Sequence, residues 1–231
     1  MTSLIPLGHD LWTVEGAPIR GAGGFDFPTR MCIARLTDGS LWVHSPIALN
    51  ASLTSEIAGL GPVRHLVAPN DLHHRFLADW AAAYPDARIY AAPGVAQKSP
   101  GVVVDEGLEP ESPAIWADLF QQVIFDGNMI TTEVVFFHHP SGTLIFTDLL
   151  QQMPSGWYKG WRATVARADL MTGDYPSVPR KFRIAFRNRR AMRAAIAKLR
   201  RLPVQKIVMA HGPVVETNAA KVLDTAFAWA R

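Results

Sequence analysis

Three groups of polar residues stand directly after apolar, strand-like segments, and this feature constrains the fold more than any other. The first runs from Pro69 to His74 and follows the apolar segment that ends at Val67. The second is Thr147-Asp148, and the third is His211-Gly212. In α/β folds, functional side chains collect in the loops after the carboxyl ends of strands. We therefore expect these three groups to meet at one end of a sheet.

The pattern of apolar residues predicts strands in hairpins first, and then alternating strands and helices. A Thr37-Asp38-Gly39-Ser40 turn and a Pro140-Ser141-Gly142 turn each join two strand-like segments. This order predicts a mixed α/β (α+β) protein with helices outside the sheets. The predicted strands are 10–14, 31–36, 41–44, 64–67, 87–91, 119–125, 133–138, 143–148 and 206–210, and the predicted helices are 51–60, 74–84, 188–201 and 218–230.

The composition is that of an ordinary globular protein, with 231 residues, 48% hydrophobic and 19% charged. This length fits one domain, which we predict to span residues 1–231. No segment has the roughly 18 apolar residues of a membrane span, and the first residues lack the basic and apolar regions of a signal peptide. Cys32 is the single cysteine, which excludes an internal disulfide. These features predict a cytoplasmic protein with a buried, inert Cys32.

Each polar group has a structural and a chemical interpretation. Asn70-Asp71 before a helix can act as an N-cap, and Asp71 can also be a ligand, so both readings of Asp71 stay open. Asp148 at the end of an apolar strand is a costly carboxylate without a partner, which favours a functional role. The position of His211 after Ile207–Ala210 favours the same interpretation. Imidazole and carboxylate together suit zinc, iron or manganese.

The three groups, in this order, resemble the motifs of the metallo-β-lactamase superfamily. The stretch Pro69–His74 is similar to the superfamily's His-x-His-x-Asp-His motif and matches it outright at His74. Thr147-Asp148 resembles its Thr-Gly-Asp strand end, and His211-Gly212 resembles its final motif. The resemblance covers about residues 8 to 215 and is greatest to an uncharacterised branch. It implies a four-layer αββα sandwich.

The chain departs from the superfamily's motif at several ligand positions. Pro69, Asp71 and His73 replace the first His, the second His and the Asp of the motif. A further metal His precedes the hairpin in the family, and the aligned position near Asn128 has none. Aligning His139 there instead leaves too few residues before Asp148. The resemblance therefore implies one metal ion rather than two, with zinc as the first expectation and iron or manganese as alternatives. The implied ligands are Asp71, His73, His74, Asp148 and His211.

Three further features concern other histidines. His44 follows a hairpin strand whose end lies beneath the family's site, so both a role at the site and a structural role stay open. We expect His138 and His139 at the far turn of the hairpin, and they are not included in the site. We expect His9 and His65 at the surface.

The segment from Arg180 to Arg201 contains ten Lys or Arg residues and no Asp or Glu. One interpretation is a solvated helix face, with Met192, Ala195, Ile196 and Leu199 on the buried side. The other is a binding surface for a phosphate-rich partner such as RNA, a nucleotide or anionic lipid. No known nucleic-acid motif accompanies the charge, so a nucleic-acid partner is not favoured.

Two functional hypotheses follow from the resemblance. The first is a metal-dependent hydrolase acting on an unidentified small molecule through a metal-activated water, with Asp71 or Asp148 as general base. The alternative is a non-catalytic binding protein whose metal site is structural or empty. That protein would bind a phosphate-rich ligand through the basic segment. The sequence does not indicate the oligomeric state.

Overall fold

The computed structural model describes residues 3–230, and this part of the chain forms two β-sheets. The first sheet contains seven strands in sequential order, antiparallel up to the fourth and parallel beyond it. Its strands are β1 (Ile5–Gly8), β2 (Leu11–Arg20), β3 (Asp26–Arg35), β4 (Leu41–His44), β5 (Val63–Ala68), β6 (Arg88–Ala91) and β7 (Glu106–Gly107). The second sheet has the order β11-β10-β9-β8, with β10 and β11 parallel. Its strands are β8 (Phe120–Phe125), β9 (Glu133–His138), β10 (Thr143–Gln151) and β11 (Lys206–His211).

Seven α-helices connect and cover the sheets within residues 3–230. They are α1 (Ala51–Ala58), α2 (Leu77–Ala83), α3 (Val95–Lys98), α4 (Trp161–Ala168), α5 (Arg180–Ala185), α6 (Arg189–Arg200) and α7 (Ala219–Ala226). Short 3₁₀ turns occupy Ala22–Gly24 and Ala228–Ala230. None of the helices in this part of the chain is long and apolar enough to cross a membrane.

Strand residues alternate between two apolar layers because successive side chains point to opposite faces of a sheet. In β3, Met31 and Ile33 pack under α1 and α2, whereas Cys32 and Ala34 face the second sheet. In β9, the residues at 135 and 137 pack against the helices of the second sheet, and their neighbours at 134 and 136 face the first. Helices therefore cover the outer face of each sheet. This is the four-layer αββα sandwich that the resemblance implied, and the prediction is confirmed.

The predicted strands and the four predicted helices are present, with ends that shift by a few residues. The turn at 140–142 joins β9 and β10, in which Thr143 pairs with His138. The elements β1, β7, α3, α4 and α5 were not predicted from the sequence. These elements are short, and α4 and α5 begin after Gly160 and Pro179 without a side-chain cap. Their helical form depends on packing that a local pattern does not contain.

Single residues of the core agree with the predictions except at His65. Cys32 is buried between the sheets, as expected, and burial raises the pKa of its thiol to about 12. The expectation of a surface His65 is wrong, because it is buried and its ring lies against Tyr90 and Trp116. His65 alternates with Arg64 along β5, so the exposed Arg64 places its neighbour on the inner face of the sheet.

Helix α6 buries the predicted apolar stripe and carries the basic residues on its other faces. Asn188 caps it by accepting a hydrogen bond from the backbone N–H of Ala191 at 3.0 Å. Arg193 donates to the carbonyl of Ala230, and Arg200 pairs with Asp224 at 2.8 Å. These contacts belong to the outer layer of helices. The buried residues of the stripe are Met192, Ala195, Ile196 and Leu199.

Candidate metal centre

Three side chains from the three polar groups converge at one end of the sandwich. Nε2 of His73 lies 3.1 Å from Oδ2 of Asp148, and Nε2 of His211 lies 3.3 Å from Oδ1 of the same carboxylate. The two Nε2 atoms are 3.3 Å apart. Within residues 3–230, this is the one group of three His, Cys, Asp or Glu side chains close enough to share a metal ion.

Hydrogen bonds at the opposite ring nitrogens orient both imidazoles. Nδ1 of His211 donates to the carbonyl of Pro28 at 2.7 Å, which leaves the lone pair of Nε2 directed at the cluster. Nδ1 of His73 is 2.7 Å from the hydroxyl of Ser45. Ser45 has φ 54°, a conformation that is rare for a residue with a side chain and that often occurs at functional sites. Histidines that bind metals are usually fixed in this way by their second nitrogen.

The donor atoms fit a small divalent metal ion. Two ligands of a tetrahedral zinc ion, each about 2.0–2.1 Å from the metal, are separated by roughly 3.3–3.4 Å. The two Nε2 atoms, 3.3 Å apart, match this separation, and each lies 3.1–3.3 Å from one oxygen of Asp148, Oδ2 for His73 and Oδ1 for His211. Two imidazoles and one carboxylate are also a donor set that zinc, iron and manganese accept.

Asn70 and Glu133 hold the strand end that carries Asp148. The side-chain amide of Asn70 donates to Oδ2 of Asp148 at 2.8 Å and to the hydroxyl of Thr147 at 2.9 Å. Its Oδ1 accepts the backbone N–H of His73 at 2.9 Å. The buried Glu133 carboxylate accepts the backbone N–H groups of residues 147, 148 and 149 at 2.8–2.9 Å. Both side chains are fully buried, so these bonds fix the cluster relative to both sheets.

The electrostatics of the cluster are those of a buried ion pair. Burial disfavours the charged Asp148, but the attraction of His73 and the close polar contacts of His211 and His73 outweigh it and hold the carboxyl pKa well below its usual value. Burial likewise opposes protonation of His73, but Asp148 and, more weakly, Glu133 raise its pKa. Burial and the nearby Asp148 raise the pKa of Glu133, against the three backbone N–H groups that it accepts.

The end of β11 is held by Arg30, and little space is left for a side chain after His211. The Arg30 guanidinium, which is 6% exposed, donates from one nitrogen to the carbonyl oxygens of Met209 and Gly212 and from the other to Glu15 at 2.5 Å. A Cβ on Gly212 would lie 2.6 Å from the Met209 sulfur and 3.1 Å from the backbone nitrogen of Gln152. The glycine that follows His211 is therefore favoured by the small space at this position, in addition to the chemical role of the histidine.

The structure brings together His73, Asp148 and His211, and it places the other two predicted ligands outside this cluster. The carboxylate of Asp71 pairs with Nζ of Lys98 at 2.7 Å and accepts from the Thr131 hydroxyl at 2.5 Å. Nδ1 of His74 lies 2.7 Å from the Ser99 hydroxyl. Burial and the positive charge of Lys98 lower the pKa of His74. The partners of Asp71 and His74 include residues of α3 and the serine that follows it.

The remaining histidines have other environments. His44 is buried, and its ring stacks on Trp42 and meets the edge of Phe136. Burial lowers its pKa to about 3. Its Nε2 has no hydrogen-bond partner within residues 3–230. His138 lies at the hairpin turn, as expected, with Nδ1 2.8 Å from the Ser141 hydroxyl.

A cavity of about 540 Å³ opens directly onto the cluster, and His73, Asp148 and His211 all line it. The turn 22–25, the start of β3, the loop after β4, and helices α4 and α5 supply most of its other walls. This volume is within the roughly 300–1,000 Å³ range of small-molecule sites. The cluster therefore faces an accessible space and is not enclosed by protein.

Comparison with known sequences gives the family. The family model described as a domain of unknown function, DUF4336, matches residues 9–160, which include the Pro69–His74 stretch and Asp148. The chain belongs to the DUF4336 family. No curated protein sequence matches this DUF4336 protein.

Solved structures show that the DUF4336 protein has the metallo-β-lactamase fold. It is similar to the DIM-1 metallo-β-lactamase exposed to ceftazidime, with a TM-score of 0.64, 12% identity and coverage of 100% of this chain and 98% of the other. For the mono-zinc form of the FIM-1 metallo-β-lactamase from Pseudomonas aeruginosa, the TM-score is 0.63 and the identity 15%, with coverage of 99% of this chain and 96% of the other. For the metallo-β-lactamase from Pontibacter korlensis, the TM-score is 0.63 and the identity 12%, with coverage of 99% of each chain. At these identities the likeness concerns the fold alone.

Three residues that support the cluster were not predicted from the sequence: Ser45, Glu133 and Arg30. Glu133 carries a readable signal, since a single acid begins an otherwise apolar strand and burial of an unpaired carboxylate is costly. Arg30 carries the same signal within the apolar part of β3. Ser45 carries none, because its role depends on a backbone conformation that serine rarely adopts.

Proposed function

We propose that the protein is a metal-dependent hydrolase that uses a single divalent metal ion bound by His73, Asp148 and His211. The observation that carries this proposal is the convergence of these three side chains at the floor of an open cavity. Three protein ligands with a fourth position open to a cavity are typical of catalytic zinc sites, whereas structural sites are closed by four. Zinc is the first candidate metal, and iron and manganese suit the same donors.

A metal ion in this position would supply Lewis acidity, which polarises a carbonyl or phosphoryl oxygen and lowers the pKa of water. The chain's own residues then have distinct tasks. His211 and His73 present Nε2 lone pairs because Pro28 and Ser45 hold their Nδ1 atoms. Asp148 faces the cavity and is the carboxylate placed to accept a proton from an attacking water. Asn70 keeps that carboxylate oriented through its 2.8 Å hydrogen bond.

The proposal uses a narrower ligand set than the sequence indicated. Asp71 and His74 are left out because their side chains lie outside the group formed by His73, Asp148 and His211. Asp148 rather than Asp71 is proposed as the general base because Asp148 lines the cavity and Asp71 does not. Ligand roles for Asp71 and His74, the cytoplasmic location and the identity of the metal stay predictions.

The proposal is tested by elemental analysis of protein purified without chelator or immobilised nickel. We expect about one equivalent of a transition metal in the wild type and in His74→Ala, and less than a tenth of an equivalent in His211→Ala and Asp148→Asn. Hydrolysis of simple esters should require the metal, disappear with a chelator and return when metal is added back. Retention of the metal by both His211→Ala and Asp148→Asn would refute the site, and loss of the metal in His74→Ala would add that residue to the ligands.

A further inference from the structure

The walls of the cavity above the cluster are overwhelmingly apolar. Aromatic rings of Phe27, Phe76 and Phe182 line it together with the aliphatic side chains of Ile47, Ile130 and Val165. These residues come from β3, the loop after β4, the segment before α2, the β8–β9 connection, α4 and α5. Separate parts of the chain thus contribute apolar groups to one space. An apolar ligand that binds against these walls gains roughly 25 cal/mol of free energy for each Å² of apolar area removed from water.

The cavity is preformed because the segment 152–188 is fixed over it. Within this segment, Tyr158 is buried, and its ring lies 5.1 Å from that of Phe25 beside the 3₁₀ turn. The indole N–H of Trp157 donates to the carbonyl of Asp26 at 2.7 Å. The Phe25 ring also meets Trp161 at the start of α4, with 5.7 Å between centroids. These contacts tie the roof of the cavity to the β2–β3 connection.

The charges that line the cavity are few and do not form a site for a polyanion. Among the described residues that line it, Arg75 and Lys181 are the cationic side chains other than histidine. Lys181 lies 3.3 Å from Asp169, which lines the same cavity. Of the ten Lys and Arg residues from Arg180 to Arg201, only Lys181 lines this cavity. Phosphate-rich ligands need several unpaired cations or N–H donors, so nucleotides and RNA do not fit the cavity.

We infer that the substrate is an ester, thioester or lactone whose acyl part is an apolar chain, and that this chain lies in the cavity with its carbonyl at the cluster. The inference rests on the proposed function for the reaction and on the cavity walls for the acyl group. In the reaction, the oxygen of water bonds to the carbonyl carbon and the carbon–oxygen or carbon–sulfur bond to the leaving group breaks. One proton of the water passes to the leaving alcohol or thiol, and the acyl part becomes a carboxylic acid; a lactone gives one hydroxy acid that carries both groups.

The first experiment measures binding without reaction. Titration calorimetry with octan-1-ol and ethanol compares the wild type with the double variant Ile130→Asp/Val165→Asp, whose side chains line the cavity yet are 38% and 44% exposed. The matched control is Val103→Asp/Ile184→Asp, because both residues are exposed and lie outside the cavity. We expect octan-1-ol to bind the wild type and the control alike and the cavity variant at least tenfold more weakly. If the double variant does not fold, Val165→Asp alone is measured.

The second experiment measures selectivity with metal-loaded protein and the p-nitrophenyl esters of acetic, hexanoic and decanoic acid. We expect kcat/KM to rise at least tenfold from acetate to decanoate in the wild type and the control, and this ratio to fall at least fivefold in the cavity variant. Equal kcat/KM for all three esters, or octan-1-ol binding that is absent or unchanged in the cavity variant, would overturn the inference. Octan-1-ol binding without hydrolysis of any ester would instead refute the hydrolase and keep the cavity as a site for an apolar ligand.

Discussion

Asn70 shows how one side chain joins parts of the chain that are far apart in sequence. Its oxygen accepts the backbone N–H groups of Leu72 and His73, and its nitrogen donates to Thr147 and Asp148. An aspartate would offer the same oxygen but no donor, and it would add a negative charge beside Asp148 and Glu133. The amide is therefore the group that suits both partners, which the N-cap interpretation of the sequence did not contain.

A prediction at this scale concerns His138, which is buried and neutral in the folded protein. Burial, with the positive charges of His9 and His139 adding to it, lowers the pKa of His138 from 6.5 to about 4. Between these values the unfolded chain binds a proton that the folded protein does not, so the free energy of unfolding falls as pH decreases from about 6.5 to about 4. The loss from this residue is at most about 3 kcal/mol.

Urea unfolding at several pH values in that interval checks the prediction with two variants. His138→Gln should reduce the slope of the unfolding free energy against pH by up to about 1.4 kcal/mol per pH unit. His139→Gln, at the exposed neighbouring position, removes only a minor cause of the lowered His138 pKa and should change the slope much less than His138→Gln. An unchanged slope in His138→Gln would show that other groups cause the acid sensitivity.

The residues of the candidate site were predictable by type and position, but their contacts were not. Asp148 and His211 follow apolar segments whose strand form can be read from local pattern, so both could be placed at strand ends. Asp71 and His74 follow the same logic, and the sequence does not indicate that Lys98 and Ser99 lie beside them. Those partners belong to a four-residue helix and the residue after it. Local pattern is weak for such short elements, since their stability comes from tertiary contacts.

At the scale of elements, the β9–β10 hairpin is the part of the second sheet that presents Asp148. Pairing with β9 covers residues 143–145 of β10, and beyond that point the Glu133 carboxylate accepts the backbone N–H groups of residues 147–149. One carboxylate thus satisfies three buried donors that the ladder leaves. The same bonds set the direction in which the Asp148 side chain leaves the strand.

Glu133→Gln is expected to lower the free energy of unfolding by about 2–4 kcal/mol, because the new amide group places a donor against backbone donors in a buried site. It should also weaken metal binding, since Asp148 loses its support. Urea unfolding and metal titration measure the two effects separately. Glu216→Gln, at an exposed position, is the control and should change neither. A Glu133→Gln protein as stable as the wild type would mean that the three N–H groups find other acceptors.

The strands were easier to predict than the helices that cover the cavity. In β3, β9 and β11, the apolar residues are continuous because both faces of each sheet are covered, and such runs are typical of buried strands. Helix α4 has a mixed sequence with one buried residue, Ala166. Helix α5 has six residues and is basic, with Phe182 as its buried residue. The local sequence therefore gave little indication of the helices α4 and α5 that cover the cavity.

At the scale of the whole molecule, the candidate site lies where the two sheets meet, and each sheet supplies part of it. His73 follows β5 of the first sheet, whereas Asp148 and His211 belong to β10 and β11 of the second. Any relative shift of the sheets would separate these side chains. The apolar layer between the sheets resists their separation, but apolar contacts have little directional preference and do not by themselves set the position of a polar side chain. Directional bonds between the sheets are therefore needed, and Arg30 and Asn70 supply them.

Arg30→Met removes the link between β3 and the end of β11 while keeping most of the side-chain volume. We expect a loss of about 2–4 kcal/mol in the free energy of unfolding, since the buried carbonyl oxygen of Met209 and the half-buried one of Gly212 lose a charged donor. We also expect at least tenfold weaker metal binding. Arg30 holds the carbonyl groups of Met209 and Gly212 on either side of His211, so losing these bonds lets His211 move. Arg35→Met, on the same strand with a 40% exposed side chain paired to Asp10, is the control and should lose less than about 1 kcal/mol with unchanged metal binding.

Urea unfolding of metal-free protein and competitive metal titration separate the two effects of Arg30→Met. Weaker metal binding with undiminished stability would place Arg30 in the positioning of His211 alone, whereas an unchanged metal affinity would show that the bond from His211 to Pro28 is sufficient to hold the ligand.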